Sequence, residues 1–420
     1  MRLSTANLFD TSIATLQRRQ QQMQESQTQL TSGKKITNAS DDPTGAARAE
    51  RALATISRVD ANQRALEASR NGTTLGEAAL GDANELLQQM RETMVSAGNA
   101  SYSDAERIGL ANKISGLRDQ LLAIANRGDG AGGFLFSGQG SSDPPFLDQA
   151  GGVRFNGISG TIQTGNIDSF PLTVDGRMAF EQARSGNGNF ETIPRPNVIT
   201  GTPPKGWIDA GRVVEPSLLT GHSYQINISG AAPASNYDVI DTNTGGSVQS
   251  GLYVTGKAIT FDGMAVTMSG ALADGDQFDI TPSTNSLKLF DVLDRTVAEL
   301  RTPLRAGPEI TQSTSGRIRD IDAVMVNLQN VRSQLGERLN NLDGTEQRMS
   351  ALKQYNQAER SAAEDLDMVQ GISDFQNQQN GYDTALKTYA MVQRMSLFQY
   401  INTYALIQAF NPIRQISQTQ

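Results

Sequence analysis

An α+β architecture follows from the sequence: long helices at the two ends form an elongated coiled-coil bundle, and a β-rich domain is inserted in the middle. Three observations predict it. From about Leu3 to Asn126 the chain is dominated by Ala, Gln, Leu, Glu and Arg, with Pro43 as the only proline. From Gly128 to about Pro282, Gly, Asn, Asp and Thr separate short alternating apolar runs. Beyond Ser286 the helical period returns and continues nearly to the end.

Ile13, Leu16, Gln20, Met23, Gln27 and Leu30 recur at alternating steps of three and four, the spacing of a coiled-coil seam, and two of its knobs are glutamine. Ser32-Gly33 reads as a helix stop, and Ser40-Asp41-Asp42-Pro43 reads as a new start with Asp or Ser as N-cap. Further seams run through Ala52, Ile56, Val59, Gln63 and Leu66, then Leu80, Ala83, Leu87, Met90 and Met94, then Leu110, Ile114, Leu117, Leu121 and Ile124. Three or more long helices fit this zone.

In the middle zone Tyr224, Ile226 and Ile228 alternate with polar residues, as do Ile259 and Phe261, and then Met264, Val266 and Met268. Asp262-Gly263 between the last two runs predicts a hairpin, because a type I′ turn needs positive φ at both central residues. In the last zone Ile321, Val324, Leu328, Val331, Leu335, Leu339 and Leu342 form the longest regular seam, and Leu386, Tyr389, Leu397 and Phe398 mark the apolar positions of the final helix.

Helices that enclose strands imply termini that associate with each other. The domain division expected is 1–40 with 380–420 as terminal polymerisation segments, 41–190 with 286–379 as a helical shaft carrying a β-hairpin element, and 191–285 as an outward β insertion. Residues 1–40 hold only nine large apolar residues. With glutamine at seam positions, such a segment is expected to be mobile in a monomer and to become helical when neighbours supply partners.

Composition narrows the function. A formal net charge of −8 and a pI near 4.9 give no electrostatic reason to bind nucleic acid or anionic lipid. Cysteine is absent, which removes disulfides and thiol chemistry. The first ten residues carry no apolar signal region, so export would be signal-less. The stretch Leu397 to Phe410 is interrupted by Gln399, Asn402 and Gln408 and is too short to span a bilayer.

No reactive constellation emerges. His222 is the only histidine, expected at a surface or strand edge, with no second His or Cys to complete a metal site. Residues 128–133 match G-x-G-x-x-G formally but follow a helix and precede Phe134-Leu135-Phe136, the reverse of a phosphate cradle, and read as a flexible helix-to-strand joint. Asp274-Gly275-Asp276 reads as a tight turn, because Phe278 stands where a calcium loop needs oxygen. Asp41 and Asp42 read as helix caps. The expectation is a non-enzyme with no cofactor and no metal.

Thr31-Ser32-Gly33-Lys34-Lys35-Ile36, followed by Ser40-Asp41-Asp42-Pro43 at this distance from Met1, resembles the N-terminal signature of the axial proteins of the bacterial flagellum, the flagellin superfamily. Arg332-Ser333-Gln334-Leu335-Gly336 resembles the R-x-x-L-G segment of their first long C-terminal helix. Within the superfamily the marks resemble the hook–filament junction branch more than flagellin. They are Met1-Arg2-Leu3-Ser4-Thr5, Asp42-Pro43, Phe134-Leu135-Phe136-Ser137-Gly138 with Pro144-Pro145-Phe146, Gly275-Asp276-Gln277-Phe278, and Ser396-Leu397-Phe398. The chain departs from that branch by continuing about twenty residues beyond Phe398.

The resemblance implies a secreted structural subunit of the extracellular flagellum, exported by the flagellar type III apparatus. It would join the hook-associated segment to the filament by helical polymerisation of its terminal helices. Its expected partners are further copies of itself in a ring, hook-associated protein 1, flagellin and an export chaperone, with no nucleic acid and no membrane insertion. Two alternatives stand beside it: a flagellin-type filament subunit, and an axial protein whose β domain is a surface adhesion module.

Overall fold

The computed structural model describes residues 2–99, 101–140, 143–164, 169–230 and 234–409, with side chains described from residue 10 to residue 394 within those ranges. The helices are α1 (Arg2–Ser32), α2 (Pro43–Ala97), α3 (Asp104–Ala125), α4 (Gly176–Phe180), α5 (Leu289–Arg301), α6 (Gly307–Glu364) and α7 (Met368–Ala409). Between α3 and α5 lie the strands β1 (Phe146–Gln149), β2 (Gly152–Phe155), β3 (Phe190–Arg195), β4 (Gly206–Ile208), β5 (Arg212–Val213), β6 (Tyr224–Ser229), β7 (Asn236–Asp241), β8 (Ser247–Leu252), β9 (Ala258–Phe261), β10 (Met264–Gly270) and β11 (Gln277–Pro282). The fold class is the one the sequence predicts, with long N- and C-terminal helices and a β-rich centre.

The chain divides into two compact units, Met1–Asp60 with Arg348–Gln420, and Ala61–Gln347. In the first, α1 runs beside α7. Helix α1 ends where Gly33 turns to φ +71°, a conformation that costs an L-residue steric strain. Helix α2 begins where Asp42 Oδ1 accepts the backbone N–H groups of Thr44 and Gly45 at 3.1 and 3.0 Å. Asp41 does not cap the helix. Its carboxylate closes the preceding turn by accepting from the N–H groups of Asn38 and Thr37. Both carboxyls are held below the ordinary aspartate range, Asp41 chiefly by the Asn38 amide and Asp42 chiefly by that of Gly45.

The expectation that the terminal segments lack helix outside a polymer is corrected: α1 is helical within the single chain. The reason is an intrachain partner, since α7 covers part of the α1 seam. Little of this unit is buried all the same; Ala49, Ala52, Val59 and Met349 are its principal buried apolar side chains among the described residues.

The second unit has two cores. One is helical, with Leu80, Leu87, Met90 and Met94 of α2 packed with Ile114 and Leu121 of α3, Leu289 and Leu293 of α5, and Ile321 to Leu335 of α6. Helix α3 starts on a capping box, Ser103 Oγ accepting from the Glu106 N–H while the Glu106 carboxylate accepts from the Ser103 N–H at 2.7 Å. At its middle Arg118 donates to Asp148 of β1 at 2.6 Å and to Asp294 of α5 at 2.7 Å. The hydrogen bond to Asp148 first, and then that to Asp294, drives the guanidinium further into its charged form.

Five phenylalanines seal this core: Phe136, Phe146, Phe155, Phe180 and Phe290. The ring of Phe146 lies 5.2 Å from Phe155, 5.3 Å from Phe180 and 5.8 Å from Phe290. The Phe134–Gly138 motif supplies part of it, and its glycine has a steric cause. Gly138 takes φ +70°, and a Cβ there would stand 1.9 Å from the carbonyl oxygen of Ile158. Gly138→Ala is therefore expected to destabilise this unit by at least about 2 kcal/mol, measured by chemical unfolding.

The joint at residues 128–133 is not the flexible linker expected. Asp129 Oδ1 accepts from the N–H groups of Ala131 and Gly133 at 2.7 and 2.9 Å, fixing an Asx-type turn. Nor does Phe134-Leu135-Phe136 form a strand. Leu135 and Phe136 are buried, and Leu135 makes single backbone bonds to Arg127 and Val174.

The second core belongs to the β body. A five-stranded antiparallel sheet in the order β3-β11-β6-β7-β8 packs Ile226, Val239, Phe278 and Ile280 against Ile259, Val266 and Met268 of a smaller sheet built on β10, which pairs with β4, β5 and β9. The β9–β10 hairpin turns at Asp262 and Gly263 with φ +40° and +75°, as the type I′ reading requires. His222 precedes β6 and is partly exposed, with Nδ1 at 2.7 Å from the buried Asp241 carboxylate. Asp276 is buried and accepts from Asn197 and the Ala273 N–H, which makes the 274–276 segment a hydrogen-bonded turn.

Candidate assembly interface

The α1–α7 pair presents two kinds of surface. Toward α7, helix α1 turns Leu16, Met23, Ser26 and Leu30, all half-buried, and Ser26 Oγ donates to Gln378 Oε1 at 2.8 Å. The facing positions of α7 are Gly371, Phe375, Gln378, Tyr382, Ala385 and Tyr389, again spaced by three and four. Two glycines allow the close approach. A Cβ at Gly371 would meet Leu366 and Leu30, and one at Gly381 would stand 2.4 Å from the Arg19 guanidinium. Higher up, Leu16, Arg19, Ala385, Tyr389 and Val392 line a groove of about 570 Å³ between the helices.

The remaining positions face outward. Ile13, Gln20 and Gln27 of the α1 seam are exposed, Ile13 to 40%. Helix α7 also exposes Val369, Ile372 and Leu386 on an outer stripe, and Met391 on another side. Val369 is 82% exposed and Met391 60%. Leu397 and Phe398 continue the helix, but their side chains lie outside the described residues.

The α6 seam has a different fate. Ile321, Val324, Leu328, Val331, Leu335 and Leu342 are all buried within the chain, and Leu339 is half-buried. Thus the described seam positions of α1, α6 and α7 separate into an internal core set, a set shared between α1 and α7, and an unpartnered set. Sequence reasoning marked Leu386 but missed Val369 and Ile372, because Gln376, Gln379 and Asp383 interrupt the apolar spacing between them. Among the described residues no group of His, Cys, Asp and Glu could hold a metal ion, and no helix is long and apolar enough to cross a membrane.

The bacterial flagellin N-terminal helical region matches residues 4–141. Flagellar hook-associated protein 3 of Escherichia coli (strain K12) is 26% identical over 412 residues, covering 95% of this chain and 99% of that protein. The crystal structure of the flagellar junction protein FlgL from Legionella pneumophila superposes with a TM-score of 0.65 at 26% identity, covering 76% of this chain and 100% of that one. Over nearly its whole length the chain is similar to hook-associated protein 3, the flagellar junction protein.

Other relatives agree. Flagellar hook-associated protein 3 of Salmonella typhimurium is 31% identical over 201 residues, 47% of this chain and 61% of that protein. FlgL of Xanthomonas campestris gives a TM-score of 0.63 at 26% identity, over 73% of this chain and 99% of that one. The likeness to flagellins is narrower: Polar flagellin A of Vibrio parahaemolyticus is 32% identical over 122 residues, 27% of this chain and 31% of that protein. These relatives are named as hook-associated and junction proteins of the flagellum, which suggests polymerisation there.

Proposed function

We propose that this chain is the structural subunit that joins the hook-associated segment of the bacterial flagellum to the flagellin filament, polymerising through α1 and α7. The observation that carries it is the outer stripe of α7, where Val369, Ile372 and Leu386 are exposed in a single chain. Burying one such side chain fully contributes roughly 1.5–3 kcal/mol, so a surface repeated along a helix gains most when a neighbouring copy covers it. The exposed Gln20 and Gln27 beside Ile13 supply hydrogen-bonding groups for the same neighbours and set register rather than affinity.

On this reading the partners are further copies of the chain, hook-associated protein 1 on one side and flagellin on the other, with an export chaperone before assembly. The protein works outside the cell, leaves through the flagellar export apparatus, and performs no catalytic turnover. The flagellin alternative has less support, because the likeness to Polar flagellin A covers 27% of this chain, against 95% for Escherichia coli hook-associated protein 3. Deletion of the gene in a motile bacterium is the direct test. Intact hooks with unassembled flagellin in the medium are expected; normal filaments would reject the junction role.

A further inference from the structure

The connection between α1 and α2 reaches across to the end of α6, and the bonds it makes there compete with helix continuation. From Thr345 to Gln370 the sequence has neither glycine nor proline, and Ala362, Ala363, Glu364, Leu366 and Met368 are all strong helix formers. Yet the helix stops at Glu364 and restarts at Met368. The local stop signal is Asp367, whose Oδ1 accepts from the N–H groups of Val369 and Gln370 and so caps the new helix.

The rest of the interruption is tertiary. In an unbroken helix the Leu366 N–H would bond to the Ala362 carbonyl, and the Met368 N–H to that of Glu364. Here both acceptors are taken. Lys35 Nζ donates to Ala362 O at 2.9 Å, and the Lys35 N–H donates to Glu364 O at 2.8 Å. The displaced Leu366 N–H donates instead to Gly33 O at 2.9 Å. Around them the Glu364 carboxylate, mostly buried, pairs with Lys34 at 3.2 Å and Arg360 at 2.8 Å. The lysines thus place positive charge at the carbonyl end of α6, where the helix dipole favours it.

We propose that residues 33–35 and 362–366 form a clasp that holds open a break in what is otherwise one continuous helix, so that α6–α7 has a broken, clasped state and an unbroken, released one. The two states exchange hydrogen bonds nearly one for one, which keeps them close in free energy. Because the clasp is also the exit of α1, freeing that exit and straightening α6 into α7 are a single event. The Thr31–Ile36 segment thereby acquires a physical role: Gly33 supplies the left-handed turn and an acceptor, and the two lysines supply the caps.

The free chain tests this, independently of the junction role. It has no cysteine, so Gln357→Cys and Gln376→Cys, at exposed positions, take spin labels without background reaction. An unbroken helix puts these Cα atoms about 28 Å apart at about 1.5 Å per residue. The labelled chain is expected to give a separation different from that value. Adding Lys34→Ala, Lys35→Ala and Glu364→Ala is expected to move at least half of the population to it, and adding Leu366→Pro as well is expected to remove that population. An unchanged distribution, broadening without a peak near the helical value, or a parent chain already at that value would each overturn the clasp. Circular dichroism of each variant confirms that the helices persist.

Discussion

Val369→Asp combined with Ile372→Asp is expected to abolish assembly while leaving the free subunit folded. Both side chains are exposed in the single chain, and surface substitutions away from packed features usually change stability by no more than about 0.5 kcal/mol. Far-UV circular dichroism and the thermal transition of the purified variant should therefore match the parent. In a neighbour's interface the same change removes two aliphatic contacts worth roughly 3–6 kcal/mol together and buries two carboxylates. That is a loss of at least about 100-fold in association. The variant should fail to complement a deletion strain, with flagellin shed into the medium. A fully motile complemented strain would show that this stripe is not an interface.

Phe146→Ala is expected to have the largest effect on the fold itself. Its ring is 1% exposed and touches three other phenylalanines, so truncation removes transfer energy and leaves a cavity that stiff aromatic neighbours cannot fill. A loss of about 3–5 kcal/mol is expected from chemical unfolding of the full chain. The backbone at this point is also fixed by Asn126, whose Oδ1 accepts from the Phe146 N–H and whose Nδ2 donates to the Phe146 carbonyl, both at 2.8 Å. Those two bonds tie the end of α3 to β1, so a collapsed Phe146 site should also loosen the α3 terminus. Hydrogen exchange at Ile124 to Asn126 would report it.

The contrast between these two substitutions reflects how differently the two units were legible in sequence. Helix limits at Ser32 and Pro43 were readable because Gly33 and Asp42-Pro43 act locally, through a positive φ and a cap. The Asp262-Gly263 hairpin was readable for the same reason. The sheet order β3-β11-β6-β7-β8 was not, since pairing Phe190 with Pro282 across the body depends on contacts far apart in the chain. The α6 seam from Ile321 to Leu342 was regular because one continuous core lies along it.

The α1 seam misled in one respect. Its heptad grouped Ile13, Gln20 and Gln27 with Leu16, Met23 and Leu30, but one partner helix covers only half of such a stripe, and the glutamine half is left outside. The Val369 and Ile372 end of the outer stripe of α7 was hidden by Gln376, Gln379 and Asp383, and no periodicity count links Val369 to Leu386 across them. The clasp escaped notice because its partners are separated by about 330 residues and only the Gly33 half reads as a helix end.

Single-cysteine variants at positions 369 and 372 allow a direct comparison of the free chain with the assembled one, by the rate of maleimide modification at each. Fast reaction in the free chain and strong protection after incorporation into the flagellum are predicted. Equal rates in both states would contradict assembly through this face of α7.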